Sequence, residues 1–183
     1  MFKLAIVSPC YNEEEVLESA CKRITEVLKK LISEGKVTAD SFVLYVNDGS
    51  KDKTWEIIEH LTKENPLIKG ICLGANVGHQ SAIMAGMMTA KDIADAVITI
   101  DADLQDDLDA LCQMVDEYEK GYDVVTIGQQ IGKMGATGYA FGTHLHFGVW
   151  RGISGRRPNG GVVLLCPCRP IRGCLRRIRS VCR

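Results

Sequence analysis

The stretch "ITIDADLQDD", Ile98 to Asp107, joins a buried strand to a cluster of acids. Its first half is apolar and β-prone. Its second half places Asp101, Asp103, Asp106 and Asp107 in quick succession. Asp101 and Asp103 are two apart, and in an extended chain that spacing puts both side chains on one face. Two carboxylates held close repel unless a cation or a proton lies between them. Oxygen ligands suit Mg²⁺ or Mn²⁺, and Gln105 adds a third oxygen at the same parity. A solvated turn is the alternative reading of Asp101 and Asp103. For Asp106 and Asp107, capping of the next helix is the better one. A calcium loop is excluded, because Asp106 stands where the turn glycine is needed and Cys112 where the glutamate is needed.

Working outward, the first 125 residues alternate strand and helix signals. "KLAIVSP", "FVLYVND", "LIKGICL", "DAVITID" and "YDVVTI" read as five strands. Between them lie helical patterns. One follows Asn12 and Glu15, which read as a capping pair. A second carries Trp55, Ile57, Ile58 and Leu61 and is capped by Ser50. A third runs from about Gly78 to Ala90, and a fourth carries Leu108, Leu111, Cys112, Val115 and Tyr118. Near-continuous apolar strands separated by helices specify a parallel α/β sheet covered on both faces. Right-handed crossovers then bring every strand's C-terminal end to one rim, where open α/β sheets bind ligands. Pro9, Tyr11, Asn12 and Glu13 fall on that rim after the first strand, and Asn47, Asp48, Gly49 and Ser50 after the second. Asn76, Gly78, His79 and Gln80 fall there after the third, and Asp101, Asp103, Gln105 and Asp106 after the fourth. "GANVG" is not the G-x-G-x-x-G of a dinucleotide site.

Charge divides the chain. Residues 1–125 hold 12 Lys and Arg against 23 Asp and Glu, a net of −11. Residues 126–183 hold 10 Lys and Arg and no acid, a net of +10. Such a shift marks a boundary. No apolar run approaches the ~18 residues of a membrane span, and "LAIV" is too short for a signal-peptide core. The sequence therefore reads as soluble and cytoplasmic. Cys10, Cys21, Cys72 and Cys112 read as buried free thiols of a reducing compartment. Cys166, Cys168, Cys174 and Cys182 match no common zinc spacing.

With the rim residues in place, a resemblance is clear. "IVSPCYNEEEVL", "VNDGSKDKTWEII", "LGANVGHQSAIMAGM", "ITIDADLQDD" and "EKGYDVV" occur in order. Residues 1–125 thereby resemble the nucleotide-sugar-binding part of a family 2 glycosyltransferase, most closely the polyprenyl-phosphate and dolichol-phosphate sugar transferase branch. The resemblance implies a Rossmann-like GT-A fold with a parallel central sheet, C-terminally truncated and followed by a short, β-rich or irregular basic tail. It implies a metal-dependent, inverting transfer of a hexose from a UDP- or GDP-sugar to a polyprenyl phosphate. By match, Pro9, Tyr11 and Glu13 line the nucleoside pocket and Asp48 reads the base. Gly78, His79 and Gln80 lie near the donor, a helix-capping role standing equally open for the last two. Asp101, Asp103 and Gln105 form the site for Mg²⁺ or Mn²⁺ and the diphosphate, with Asp101 and Asp103 as the catalytic pair. Asn47 replaces a second aspartate of many relatives. An association with the cytoplasmic face of the membrane is left open.

Beyond residue 125 the resemblance stops. "GKMGATGYAFGTHLHFGVW" in residues 126–152 resembles the closing strands of a lysostaphin-type zinc endopeptidase, with His144 and His146 in the histidine positions. The remaining histidines are His60 and His79, inside the transferase-like part, so that zinc site is incomplete. Residues 153–183 form a basic tail rich in Arg and Cys. No aromatic residue interleaves its arginines, which argues against single-strand nucleic-acid binding. The expectation is a transferase with its acceptor part missing and turnover impaired. The alternatives are a nucleotide-binding fragment without turnover and a fusion with a peptidase remnant. Replacing Asp103 by alanine is expected to abolish metal-dependent nucleotide binding; unchanged Mn²⁺-dependent affinity for both UDP and GDP in that variant contradicts the reading.

Overall fold

A computed structural model describes residues 1–102 and 108–121, together with the backbone of three later strands. The elements run β1 (Leu4–Cys10), α1 (Leu17–Ser33), β2 (Phe42–Asn47), α2 (Thr54–Glu64), β3 (Ile68–Cys72), α3 (His79–Ala90), β4 (Ala96–Thr99), α4 (Asp109–Glu119), β5 (Val124–Ile127), β6 (Gly148–Trp150) and β7 (Ile178–Val181). All strands join one sheet in the order β3-β2-β1-β4-β6-β5-β7. β1 pairs in parallel with β2 and β4, and β2 with β3. β6 runs antiparallel between β4 and β5, and β7 is parallel to β5. Two short strands therefore lie beyond the charge boundary at residue 125, one in the peptidase-like stretch and one in the basic tail.

The apolar runs explain the layers. Every residue of β1 and β2 is buried. Their side chains alternate between two separate cores, as the period of a strand requires. Leu4, Ile6, Val43 and Tyr45 meet α1, α2 and α4 on one face. Ala5, Val7, Leu44 and Val46 meet α3 on the other. α3 covers its face by close approach. A Cβ on Gly86 would stand 2.4 Å from Val7 Cγ1 and 2.7 Å from Val46 Cγ2. β3, at the sheet edge, is buried only at Ile68.

Two helix starts differ from the sequence reading. Asn12 and Glu15 do not cap α1, which begins at Leu17 with no side-chain cap bond. Asn12 instead takes φ 57° and accepts a hydrogen bond from Lys51 N at 2.9 Å. Ser50 does not cap α2 either. Its hydroxyl accepts from Asn12 N, and Asp52 Oδ1 accepts from Thr54 N at the helix start. Both motifs are spent on joining two loops rather than on their own helices. The cysteine reading holds for Cys10 and Cys21, while Cys112 is half-buried and Cys72 is exposed on the edge strand.

Replacing Gly86 by valine is expected to lower stability by about 1–3 kcal/mol through overpacking against two fixed valines. Urea denaturation measures it; an unchanged midpoint contradicts the close contact.

Candidate functional site

The strand order reverses between β1 and β4, because β2 and β3 lie on one side of β1 and β4 on the other. Crevices open at such a point. Here the reason is visible in the register. β4 pairs only with Leu4 to Val7, so Ser8, Pro9 and Cys10 run on past its end. Pro9, which has no N–H, is tolerated in this central strand because no β4 partner is opposite it. The gap is a cleft of about 270 Å³, lined among others by Pro9, Tyr11, Glu13, Asp48, His79 and Asp101.

Each lining residue is placed by its own strand or helix end. Asp48 follows β2 and is 2% exposed. Its Oδ1 accepts from Val77 N at 2.8 Å and its Oδ2 from Gly78 N at 3.0 Å. The carboxylate thus fixes the loop that leads into α3, and each oxygen keeps a second lone pair. Gly49 allows this loop to come close: at φ +64°, a Cβ there would stand 2.5 Å from the backbone of Ala75 and Asn76. Gly78, at φ +89°, turns the chain into α3 and presents His79 to the cleft. His79 Nε2 stands 3.6 Å from Asp101 Oδ1. Gln80, one residue on, is exposed and does not line the cleft.

Cys10 was expected as a core thiol, and it is buried, but it also lines the cleft. Burial first, and then the charge of Glu13, push its thiol well above the usual range, so it stays protonated. Asp103, Gln105, Asp106 and Asp107 lie outside the described residues, as do His144 and His146. Of the expected metal ligands the structure therefore places Asp101 alone. No group of three or more metal-ligating His, Cys, Asp or Glu side chains forms among the described residues. The donor set still fits a hard cation. Three carboxylates and one histidine line the cleft among the described residues, with no lysine or arginine. A diphosphate brought against those acids needs a positive charge between them.

Sequence reasoning missed the second layer. Three successive backbone N–H groups, of Asn12, Glu13 and Glu14, donate to Ser50 Oγ, Thr54 Oγ1 and Asp52 Oδ2 at 3.0, 2.8 and 3.1 Å. Lys51 N and Lys53 N donate back to Asn12 Oδ1 and Glu14 Oε2, both at 2.9 Å. The signal was present in "SKDKT": Asp followed two residues later by Thr before a helix is an Asx-type turn pattern.

The comparisons agree with this architecture. Residues 5–178 match glycosyl transferase family 2. The uncharacterized glycosyltransferase YkoT of Bacillus subtilis is 45% identical over 122 residues, which are 67% of this chain and 36% of that protein. A prophage bactoprenol glucosyl transferase homolog of Escherichia coli is 32% identical over 123 residues, 67% of this chain and 38% of that one. The chain thus spans little over a third of the length of these relatives. Among solved structures, a mannosyltransferase of Pyrobaculum calidifontis, in complex with GDP-Man and Mn²⁺, superposes with a TM-score of 0.54 at 19% identity. That superposition covers 70% of this chain and 36% of the mannosyltransferase, and it shows the GT-A fold. The peptidase resemblance of residues 126–152 draws no support from the comparisons.

Asp52 supplies a pH signature. Partial burial, the largest influence, pushes its carboxyl up. The bonds from the Thr54 hydroxyl and from Thr54 N and Glu14 N outweigh that and hold it below the ordinary 3.8. A carboxyl depressed on folding stabilises fully above its unfolded value, and the gain is lost as pH falls through the lower folded value. The difference in urea midpoint between wild type and Asp52→Asn is expected to be constant above the ordinary carboxylate range and to shrink as pH falls below 3.8 through the depressed folded value.

Proposed function

We infer that this chain, which belongs to glycosyl transferase family 2, binds the nucleotide diphosphate of a UDP- or GDP-hexose in the β1/β4 cleft and passes the sugar, with inversion, to a polyprenyl phosphate. The observation that carries the reading is the convergence of four loops on that cleft. Pro9, Tyr11 and Glu13 come from β1, Asp48 from β2, His79 from the start of α3 and Asp101 from the end of β4. A relative named as a bactoprenol glucosyl transferase homolog supports a lipid-phosphate acceptor.

In this reading Pro9 and Tyr11 form the apolar wall of the nucleoside site. Tyr11 is 41% exposed and lines the cleft, within reach of a base. Asp48 offers its remaining lone pairs to a base N–H, and its own orientation is fixed by Val77 N and Gly78 N. Asp101, with Asp103 and Gln105 from the same motif, would hold Mg²⁺ or Mn²⁺. When bound, such an ion supplies positive charge against the departing diphosphate, about 4 kcal/mol for a unit-charge contact at 4 Å and an effective dielectric of 20. His79, at the N-terminal end of α3, stands beside Asp101 to donate to a phosphate oxygen. Cys10 is held as a neutral thiol, so it offers no nucleophile for a covalent sugar intermediate. The acceptor phosphate carries its own anionic oxygen and, in this reading, displaces the diphosphate directly, with inversion.

The lipid acceptor places the reaction at a membrane surface. No helix among the described residues is long and apolar enough to cross a membrane. Titration calorimetry of the full chain with UDP and with GDP, each with Mn²⁺ and with EDTA, tests the donor site. Binding of one nucleotide that EDTA weakens at least about tenfold is expected. Heat from neither nucleotide under either condition contradicts the reading. A sugar-transfer assay to undecaprenyl phosphate then separates turnover from binding alone.

A further inference from the structure

The loop after β1 alternates in what it serves. Tyr11 and Glu13 line the cleft, while the side chains of Asn12 and Glu14 reach across to residues 51–53. Five hydrogen bonds cross between the loops after β1 and β2, three one way and two the other. Thr54 is the hub. Its hydroxyl, fully buried, accepts from Glu13 N and donates to Asp52 Oδ1 at 2.6 Å. Asn12 holds φ 57°, a conformation that L-residues other than Asn and Asp seldom take. The strands beneath do not require any of this, since β1 and β2 are already in register over six residue pairs and buried throughout. What the bonds determine is the path of the backbone from Tyr11 to Glu14.

We propose that Asn12, Asp52 and Thr54 are positioning residues for the donor site: their clasp locks the backbone of Tyr11 and Glu13 into the cleft-forming conformation before any nucleotide arrives. The proposal rests on reading the cleft as a nucleotide site. A preformed loop spares the ligand the cost of ordering it, so the clasp acts on affinity beyond the folding stability that Asp52 contributes.

The test measures UDP and GDP affinity with Mn²⁺ on the full chain, beside the thermal midpoint, for wild type, Thr54→Val, Thr54→Ser and Asn12→Gly. Valine keeps the shape of Thr54 and removes both of its hydrogen bonds. Serine keeps the hydroxyl. Glycine takes φ 57° freely and removes only the clasp side chain, so that variant keeps its fold. Affinity is expected to fall roughly tenfold in Thr54→Val and Asn12→Gly. Thr54→Ser is expected to recover it to within about twofold, and Asn12→Gly to keep its midpoint within about 2 °C of wild type. Wild-type affinity in Asn12→Gly and Thr54→Val, or a Thr54→Ser that fails to recover it, overturns the clasp and leaves the nucleotide reading standing. A wild type that binds neither nucleotide overturns the nucleotide reading, and the clasp proposal with it.

Discussion

The two-sided burial of β1 is the constraint from which the rest follows. A strand with core on both faces carries no polar side chain along its length without a cost, and its neighbours must each bring a helix to cover it. Ser8 is the single hydroxyl within β1, and it is fully buried. Polar chemistry is therefore driven to the strand ends. Because the order of strands reverses at β1, those ends diverge, and the opening between β1 and β4 is the place where side chains from four loops can meet.

Much of this was legible in the sequence, for a physical reason. The strands are apolar in both parities, which distinguishes a parallel, doubly covered sheet from a half-exposed one. The extent of α3 was read as about Gly78 to Ala90, and α4 was read from the spacing of Leu108, Leu111, Cys112, Val115 and Tyr118; both helices are there. The rim residues followed from where each apolar run ended. Strand order was not legible. Nothing in the local pattern of "DAVITID" says that it joins β1 on the side opposite β2, and the reversal is what makes the cleft.

The misread caps show a different limit. Asn12, Glu15 and Ser50 have the right residue types at the right spacing for helix caps. Yet the side chains of Asn12 and Ser50 serve partners 39 and 38 residues away in sequence, respectively. A side-chain oxygen satisfies any nearby backbone N–H, and tertiary packing decides which one is near. The same holds for Asp48, whose oxygens tie down the Val77 and Gly78 amides, 29 and 30 residues on. Family membership and site geometry thus answer separate questions: the first names a chemistry, the second shows what each side chain already holds before a ligand arrives.

The Gly86 contact has a consequence at a distance. α3 carries His79 at one end and a close approach to the sheet at Gly86, seven residues or about 10 Å along the axis. Val7 and Val46 grip the helix at that point, so it can neither slide nor lift without leaving its groove. The spacing between His79 and Asp101 is therefore gauged by the hydrogen that stands in place of a side chain at Gly86 of α3. A methyl group added there is a change of calibration, felt at the cleft by a residue that touches nothing in it.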